Sequence, residues 1–573
     1  MTEKLSVCFI WHNHQPLYKD RLSGLYLMPW VRLHGIKDYI DMPLLLESFP
    51  NIRQTFNMVP SLIEQLDDYA NGSVDEQLLV TIKDEQEYTT TDKIFILRES
   101  FHCNLERMIK KHPPYFELWL KRERFLKKGH SFASMIDEFE PQEYADMAAW
   151  FNLAWFDPYW VETKDEIASL IRHGGNFSRE QRERIIEIQR ELIRETLPTY
   201  KRLQDKGQIE VTTTPYYHPI LPLLIDTNAA SWCSPHTALP EKLYFHREDA
   251  RAQLDKGLRL YKERLGVDAR GMWPSEMSVS PAALELISQV GIKWVVLDEA
   301  LLCKSAGVGI YRDHHGNLNN PEVLCQPYKL TVGDEQIAIV FREVVTSNEI
   351  GFSYGHRDPQ EAATALYMRL KHIQQKLFHW DREGMVAIAL DGENCWETYL
   401  EDGNPFLKEL YERISTDSTL NVCTVSEYLE KNPPTAELNN IHSGSWINAD
   451  YHIWIGDPIK NRAWDLLGDT RNFLVRTLKE KKYSEDVQKA AWEEIYTAEG
   501  SDWFWWFGQP NNSAHDDMFD EQFRLHLQSV YKLLGEPYPE LLDISVYDQV
   551  APPVVAVEEN EHAPDKQEAP QRV

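Results

Sequence analysis

The chain has 573 residues, and its 60 Lys and Arg against 90 Asp and Glu give a formal net charge of −30. A chain of this length can bury a large core and is expected to hold roughly two or three structural units. The negative charge, which no basic cluster offsets, argues against nucleic acid or an anionic membrane as a partner and favours a neutral or cationic substrate.

The cysteines and the N-terminal residues indicate a cytoplasmic protein. Seven scattered cysteines without a CxxC pair argue against a zinc ribbon or a disulfide framework and favour reduced thiols. The first eleven residues lack the basic and apolar regions of a signal peptide, and no apolar stretch of about 18 residues is present to span a membrane. Neither GxGxxG nor GxxxxGK[ST] occurs, so no nucleotide cofactor is expected.

The sequence predicts seven strands, each ending in polar or aromatic residues. They cover 5–11, 52–57, 209–214, a short stretch ending at 273, 293–297, 336–341 and 385–390, with a further edge strand at 422–425. Mostly helical or mixed segments separate them, which predicts a parallel β/α barrel. An open doubly wound sheet is the alternative; it would concentrate its chemistry at one switch point rather than at every strand end.

Helix signals complete the predicted organisation. A charged helix is expected over about 179–203 with Ser178 as its cap, and another begins at Ser280-Pro281 and ends before Gly291. Further helices are expected near 458–480, 484–498 and 518–534. The predicted units are a barrel over 1–435 with a helical insertion at about 70–205, a C-terminal helical domain over 436–545 that lends aromatic loops to the site, and a disordered tail over 551–573.

Two acids follow predicted strands in similar surroundings. Asp391 ends the buried run 385–390, and Glu276 closes the stretch Gly-Met-Trp-Pro-Ser-Glu. Carboxylates at the ends of parallel strands lie where such folds keep their chemistry. Retaining cleavage of a glycoside needs two carboxyl groups about 5–5.5 Å apart, which we predict for this pair, with Glu393 and Glu397 as alternatives to Asp391. The competing interpretation is that one acid only caps a helix or forms an ion pair.

Three histidines also lie at strand ends. His12 and His14 follow the first strand and His218 follows the third, so they are either metal ligands or hydrogen-bond partners of sugar hydroxyls. No other acid and histidine cluster has ligand spacing, and no metal is therefore expected.

Aromatic and charged residues near the acids are predicted to contact substrate. Trp273 and Trp396 flank the two acids, although tryptophan is more often a core residue. Arg342, at a strand end, is interpreted as a substrate or carboxylate clamp, with a surface ion pair as the alternative. The remaining predicted contacts are Glu393, Trp454, Asp457 and Trp503.

Five short regions together resemble glycoside hydrolase family 57, whose members include α-amylases, amylopullulanases, 4-α-glucanotransferases and branching enzymes. The resemblance extends to about residue 540. The regions are His-Asn-His-Gln-Pro at 12–16, the segment 207–218, Gly-Met-Trp-Pro-Ser-Glu at 271–276, Ala-Leu-Asp-Gly-Glu-Asn at 389–394 and the tract 445–457.

The resemblance implies an incomplete (β/α)7 barrel followed by a helical domain. It implies Glu276 as nucleophile, Asp391 as general acid/base, and His12, His14 and His218 as substrate contacts. The expected activity is retaining hydrolysis of starch-type or glycogen-type α-glucans or maltodextrins, with a raised pKa at Asp391 through burial and the proximity of Glu276. A glucanotransferase or branching enzyme, a non-catalytic glucan-binding protein and a metal-dependent hydrolase or deacetylase remain alternatives.

Overall fold

The computed structural model describes residues 4–550, so the tail predicted over 551–573 lies outside the described residues. Ten strands belong to one sheet of this part of the chain. They are β1 (Leu5–Asn13), β2 (Gln54–Met58), β3 (Ile209–Thr212), β4 (Gly271–Met272), β5 (Trp294–Asp298), β6 (Tyr328–Val332), β7 (Glu335–Arg342), β8 (Gly384–Asp391), β9 (Leu420–Val422) and β10 (Ala436–Leu438).

Seven of these strands form a parallel ring in the order β8-β1-β2-β3-β4-β5-β7. A bridge between Thr213 and Met272 joins β3 to β4, and the single pair Arg342–Ala387 joins β7 to β8. The ring is therefore weakly closed at two seams. The predicted seven-stranded barrel is confirmed, and the predicted edge strand is present as β9, which pairs with β1. The sequence analysis missed β6, which is antiparallel to β7, and β10.

The strand ends meet at one edge of the barrel because the strands are parallel and in register. All residues of β1, β2 and β5 are buried, as expected for strands covered on both faces. His12 of β1 pairs with Asn57 of β2 on one side and with Asp391 of β8 on the other. The polar residues that end these apolar strands are thereby brought to the same level.

Helices cover the barrel and form the C-terminal part of the described chain. Up to β3 they are α1 (Trp30–Gly35), α2 (Asp38–Leu45), α3 (Pro60–Ala70), α4 (Glu76–Ile82), α5 (Thr90–Glu99), α6 (Pro113–Lys127), α7 (Pro141–Ala154), α8 (Pro158–Thr163), α9 (Asp165–His173) and α10 (Arg179–Asp205). Up to β10 they are α11 (Leu221–Ile225), α12 (Ala229–Cys233), α13 (Arg247–Leu265), α14 (Pro281–Gln289), α15 (Glu299–Ala306), α16 (Pro321–Leu324), α17 (Val344–Asn348), α18 (Pro359–Lys376), α19 (Asn404–Thr416) and α20 (Val425–Lys431). After β10 follow α21 (Pro458–Glu480), α22 (Glu485–Ala498), α23 (Ser501–Trp506) and α24 (Asp516–Leu533).

Helix ends follow the predicted capping signals. The Ser178 side chain accepts a hydrogen bond from the backbone of Gln181, and Ser280 accepts one from Ala283 at the start of α14. Gly291 follows α14 with φ of +99°, a conformation that glycine adopts without strain. Both predicted helices are confirmed. Within residues 4–550 no helix has the length and apolarity needed to cross a membrane.

The residues after β10 pack directly on the barrel. The Glu499 carboxylate accepts hydrogen bonds from Tyr244 and Gln253, and Gln522 of α24 donates to the carbonyl of Leu17. These contacts anchor the loop before α23 above the ends of the strands. The division into domains at about residue 435 stays a prediction.

Candidate active site

A cavity of about 1200 Å³ opens at the carboxyl ends of the barrel strands. Residues from both the barrel and the C-terminal helices line it. Eight of the predicted site residues lie around it: His12, His14, His218, Trp273, Glu276, Arg342, Asp391 and Glu393.

Glu276 is held in an unusual backbone conformation just beyond β4. It lies in a one-turn 3-10 helix with φ of +56° and ψ of 27°, the left-handed region that non-glycine residues seldom occupy. The Trp446 indole donates a hydrogen bond of 2.9 Å to its Oε2, and the Ser501 hydroxyl donates one of 3.3 Å to its Oε1. The Trp446 backbone N–H also binds the Glu276 carbonyl, at 3.1 Å. Such over-determined strain is typical of functional positions.

Burial raises the pKa of both predicted catalytic carboxyl groups. For Glu276 burial, followed by the charges of Asp391 and Asp502, raises the pKa to about 8, against the opposing hydrogen bond from Trp446. For Asp391 burial raises the pKa, opposed by a 3.0 Å hydrogen bond from Asn394. The expected increase at Asp391 is present, with burial as its main cause. Because the charge of Asp391 acts on Glu276, the two acids titrate as a pair rather than independently.

His12 is fixed as a neutral side chain in the cavity wall. Its Nδ1 lies 2.7 Å from the Asn57 side-chain oxygen, which also accepts a hydrogen bond from Thr214. Its ring stacks on Trp273 with the centroids 4.7 Å apart. Burial, with the charge of nearby His14, lowers the pKa of His12 to about 3. The second ring nitrogen of His12, Nε2, is therefore available as a neutral hydrogen-bonding group.

His14 and His218 are each tied to the start of α23. His14 Nε2 donates a 2.7 Å hydrogen bond to Asp502 Oδ1, and His218 Nδ1 lies 2.8 Å from Ser501 Oγ. Since the Ser501 hydroxyl donates to Glu276, the histidine N–H is placed to donate to Ser501 and to complete a short relay. Burial lowers the pKa of His218 well below its ordinary value, which keeps this ring neutral.

The same residues offer ligand atoms that a metal ion could use. Atoms of His14, His218 and Asp502 all lie within 4.8 Å of one another. However, the two imidazole rings are stacked, with centroids 3.9 Å apart and an angle of 20° between their planes. A histidine ligand directs its lone pair within the plane of its ring, so two nearly parallel rings cannot point at one ion. This arrangement fits hydrogen bonding to a polyhydroxy substrate better than metal coordination.

Arg342 combines an ion pair with a place at the cavity. Its Nε donates a 2.8 Å hydrogen bond to Asp298, and its Nη1 donates to the carbonyl of Ala389 in β8. The guanidinium lies over the Trp446 ring, 5.0 Å from the centroid. The alternative of an ion pair is thus present, but it is buried rather than on the surface, and it positions the indole that binds Glu276.

Glu393 is a further carboxyl group beside Asp391. It is buried at the cavity, and its Oε2 has no hydrogen-bond partner among the described residues. Burial, together with the charge of Asp391, raises its pKa well above the ordinary value. Glu397, the second alternative to Asp391, lies outside the cavity, where the Lys37 charge acts on it.

Four predicted substrate contacts need correction because the structure places them outside the cavity lining: Trp396, Trp454, Asp457 and Trp503. Trp396 is buried, and its indole N–H donates to the Gly392 carbonyl at 2.8 Å. Trp454 and Trp503 are also buried, as parts of the packed core. Asp457 accepts a backbone hydrogen bond in the first turn of α21 and is its N-cap. The three tryptophans are therefore not available to a substrate, and Asp457 has a structural role as a helix cap.

Several residues that complete the site were not predicted from the sequence. Ser501 and Asp502 belong to α23, in which only Trp503 was a predicted contact; Asp502 lines the cavity and Ser501 contacts Glu276. Trp446, which lines the cavity, lies in the tract 445–457 but was given no role, and Asn57, the last residue of the second predicted strand, was overlooked. The rule that polar residues end barrel strands could have found Asn57, but no local signal indicates that Ser501 lies 3.3 Å from Glu276, 225 positions away.

The fold and this cavity define a β/α-barrel protein with paired carboxyl groups at the carboxyl ends of its strands. Residues 8–441 match the family model for glycosyl hydrolase family 57, and the chain belongs to this family. The resemblance found in the sequence motifs is therefore confirmed.

Curated relatives and solved structures agree with this family. The chain is 28% identical over 244 residues to an α-amylase of Pyrococcus horikoshii, and 26% identical over 259 residues to a 4-α-glucanotransferase of Thermococcus litoralis. These matches cover 42% and 43% of this chain, and the chain spans only 31% of the length of either relative.

The solved structures extend the likeness of fold over most of the chain. A branching enzyme of the family from Thermococcus kodakaraensis has a TM-score of 0.59 at 14% identity, over 93% of this chain and 90% of that one. The α-amylase AmyC from Thermotoga maritima has a TM-score of 0.54 at 14% identity, over 94% and 96% of the two chains. At these identities the likeness establishes the fold alone.

Proposed function

We propose that this protein is a retaining glycoside hydrolase that cleaves α-glucosidic bonds in starch-type or glycogen-type α-glucans or maltodextrins. One observation carries the proposal. Glu276 beyond β4 and Asp391 at the end of β8 line the same cavity, where burial raises the pKa of both carboxyl groups. A pair that holds one proton has the composition that a retaining mechanism needs, one carboxylate and one carboxylic acid.

In the proposed mechanism Asp391 protonates the leaving glycosidic oxygen while Glu276 attacks the anomeric carbon. A covalent glycosyl-enzyme forms on Glu276, and the carbon–oxygen bond to the leaving sugar breaks. Asp391, now ionised, takes a proton from water as the water attacks the anomeric carbon and releases Glu276. The oxocarbenium-like transition state carries positive charge, which the Glu276 carboxylate stabilises at close range.

This division of roles requires the shared proton to lie on Asp391 when substrate is bound. The donors from Trp446 and Ser501 favour the ionised form of Glu276, since a hydrogen bond to a carboxylate lowers its pKa. A glycosidic oxygen beside Asp391 accepts a hydrogen bond only from the protonated acid. Substrate therefore favours the required arrangement of the proton, although Glu276 has the strongly raised pKa in the free protein.

The lining of the cavity supports an oligosaccharide as the substrate. At about 1200 Å³ the cavity exceeds the roughly 300–1,000 Å³ of typical small-molecule pockets. Aromatic side chains that are at least partly exposed, and that a sugar ring can stack on, line it: Trp30, Trp446, Trp505, Trp506 and Phe352. Phe352 is 79% exposed, which is unusual for phenylalanine and suits a binding platform at the rim. The neutral rings of His12 and His218 suit hydroxyl groups, and the acidic chain suits an uncharged glucan.

A 4-α-glucanotransferase or branching enzyme is the second candidate and would use the same pair. Trp446 contacts Glu276, and Trp505 and Trp506 line the same cavity; apolar groups of this kind disfavour water relative to a sugar acceptor in the second step. A non-catalytic glucan-binding protein is the third candidate. Both named relatives, an α-amylase and a glucanotransferase, fit the shared chemistry.

The test is product analysis on maltoheptaose and on pullulan with the wild type, Glu276→Gln and Glu210→Gln. Glu210 is the matched control, because its carboxylate accepts hydrogen bonds from Ser426 and lies outside the cavity lining. Hydrolysis predicts shorter sugars, new reducing ends and loss of turnover only in the Glu276 variant. A ladder running both shorter and longer at constant reducing ends would assign a transferase.

Two outcomes would overturn the catalytic assignment. Undiminished turnover by Glu276→Gln would remove Glu276 from the nucleophile role. Glucan binding without turnover by the wild type would assign a binding protein.

The finer predictions on location and organisation belong to this proposal. We propose a cytoplasmic location, supported by seven free cysteines, and α-glucan as the binding partner. The barrel over 1–435, its insertion at about 70–205 and the helical domain over 436–545 are proposed as the units of organisation. The direct contacts of Ser501 and Asp502 with barrel residues support a site that both parts complete.

A further inference from the structure

A second group of metal-ligating side chains lies outside the catalytic pair. Glu99 is the last residue of α5, His102 follows it by three positions, and His515 is the N-cap residue of α24. Their ligand atoms all lie within 4.8 Å of one another, and His102 Nδ1 is 2.8 Å from Glu99 Oε2. The group therefore brings the helical insertion and the C-terminal helices together.

The orientation of the two rings suits joint coordination of one ion. The imidazoles of His102 and His515 lie edge to face, with centroids 4.9 Å apart and 86° between their planes. Planes that are not parallel intersect, so a single ion can lie in the plane of both rings. This is the geometry that the parallel rings of His14 and His218 lack.

The donor atoms of the group suit a cation. Glu99 supplies carboxylate oxygens and the two histidines supply ring nitrogens, which are donor types that bind a transition-metal ion. Arg98 contacts Oε1 of Glu99, so Oε2 remains directed toward His102. Ionised carboxylate and neutral imidazole are the forms that bind a metal.

We propose that Glu99, His102 and His515 bind one divalent transition-metal ion of the Zn²⁺ class. Two histidines and a carboxylate are a ligand set that zinc accepts, with water at the remaining position. The three side chains are partly exposed, so an ion can enter from solvent.

The consequence is structural rather than chemical. His515 lies against Trp30, with the rings 6.3 Å apart, and both residues line the large cavity. A bound ion would tie α5 to α24 and fix this wall of the cavity. The proposal concerns a site separate from Glu276 and Asp391 and does not depend on the reaction that they catalyse.

The test is Zn²⁺ binding to the full-length, metal-free protein, measured by calorimetry and by metal analysis after gel filtration. One equivalent is expected in the wild type, and His102→Asn and His515→Asn should each weaken binding by about tenfold or more. His236→Asn is the matched control, since His236 is exposed and lies outside the group. It should bind like the wild type.

Further experiments distinguish binding at this site from binding at the cavity histidines, and loss of a ligand from loss of folding. His14→Asn should retain the bound equivalent; its loss there would place the ion at His14 and His218 instead and overturn the proposal. Co²⁺ added to the wild type should give the intense visible d–d bands of a four- or five-coordinate ion. This test does not depend on whether the variants fold. No stoichiometric binding, or equal binding by the His102 and His515 variants, would also refute it.

Discussion

Replacing Trp446 by phenylalanine should remove one of the two side-chain donors to Glu276 and keep an aromatic ring in place. The indole N–H donates to Oε2 at 2.9 Å, and Glu276 is 8% exposed. A hydrogen bond to a charged group contributes about 1.5–3 kcal/mol, and about 1.4 kcal/mol corresponds to a factor of ten. We therefore expect Trp446→Phe to raise the pKa of Glu276 by about one to two pH units and to reduce kcat/KM near neutral pH by about 10–150-fold.

The assay is the dependence of kcat/KM on pH with maltoheptaose. The nucleophile must be ionised, so the rate rises with pH through the pKa of Glu276 in the free enzyme. For the wild type this acid limb should lie well above the ordinary pKa of a glutamate, since burial raises the pKa to about 8. The limb should move to higher pH in Trp446→Phe.

Trp273→Phe supplies the matched control. The Trp273 ring stacks on His12 and lies edge-on to Trp446, but its indole nitrogen has no hydrogen-bond partner among residues 4–550. The same substitution there removes ring area without removing a donor from Glu276. It should change KM and leave the acid limb in place. An equal shift in both variants, or none in Trp446→Phe, would refute the reasoning.

Three further predictions concern neighbouring groups. Asp502→Asn removes the charge that pairs with His14 at 2.7 Å. It should lower kcat/KM on maltoheptaose by about tenfold, which corresponds to the loss of one charge-assisted hydrogen bond. Unchanged kinetics in this variant would argue against a role for the pair. Arg342→Met leaves Asp298 buried and unpaired, and should lower the free energy of unfolding in urea by about 3–5 kcal/mol, whereas a smaller loss would show that solvent replaces the guanidinium. Glu276→Gln should be more stable than the wild type, by a margin that grows as pH rises. The pKa of Glu276 in the folded protein lies above its unfolded value of 4.5, so the stability of the wild type falls between pH 4.5 and about 8. The Tm of the variant should therefore equal that of the wild type at about pH 4 and exceed it most at about pH 8; a gain in Tm independent of pH would contradict this.

Strand ends were the part of the site that could be predicted from sequence. Apolar runs that stop at a polar residue identify buried parallel strands, and parallel register then brings His12 and Asp391 to the same level. Even β4, with only two residues, was located through the acid and tryptophan that follow it. These features are local in sequence. Because the carboxyl ends of parallel barrel strands lie at the same edge, the residues that follow them are predicted to lie close together.

Aromatic residues near the acids were a less reliable guide. Trp273 precedes Glu276 by three positions and Trp396 follows Asp391 by five, but only Trp273 lines the cavity. Trp396 packs against Trp11 behind the strand ends. Which face of a loop turns inward depends on packing against distant segments, and composition carries no information on it.

Contacts between distant parts of the chain were beyond sequence reasoning. Ser501 and Asp502 reach Glu276 and His14 because α23 is anchored on the barrel through Glu499. This proximity depends on the docking of helices that no local pattern encodes. The strained backbone of Glu276 was equally hidden, because nothing in its neighbours demands a positive φ.

The central claim is that Glu276 becomes covalently glycosylated. The direct measurement is mass spectrometry of the protein after incubation with a 5-fluoro-α-glucosyl fluoride. The ring fluorine slows formation and breakdown of the glycosyl-enzyme, and the good leaving group keeps its formation the faster step, so the intermediate accumulates. A single added glycosyl group is expected on the peptide that contains Glu276. It should be absent in Glu276→Gln and should be released by a maltose acceptor or by water. Turnover without any adduct, or an adduct on Asp391 or Glu393, would contradict it.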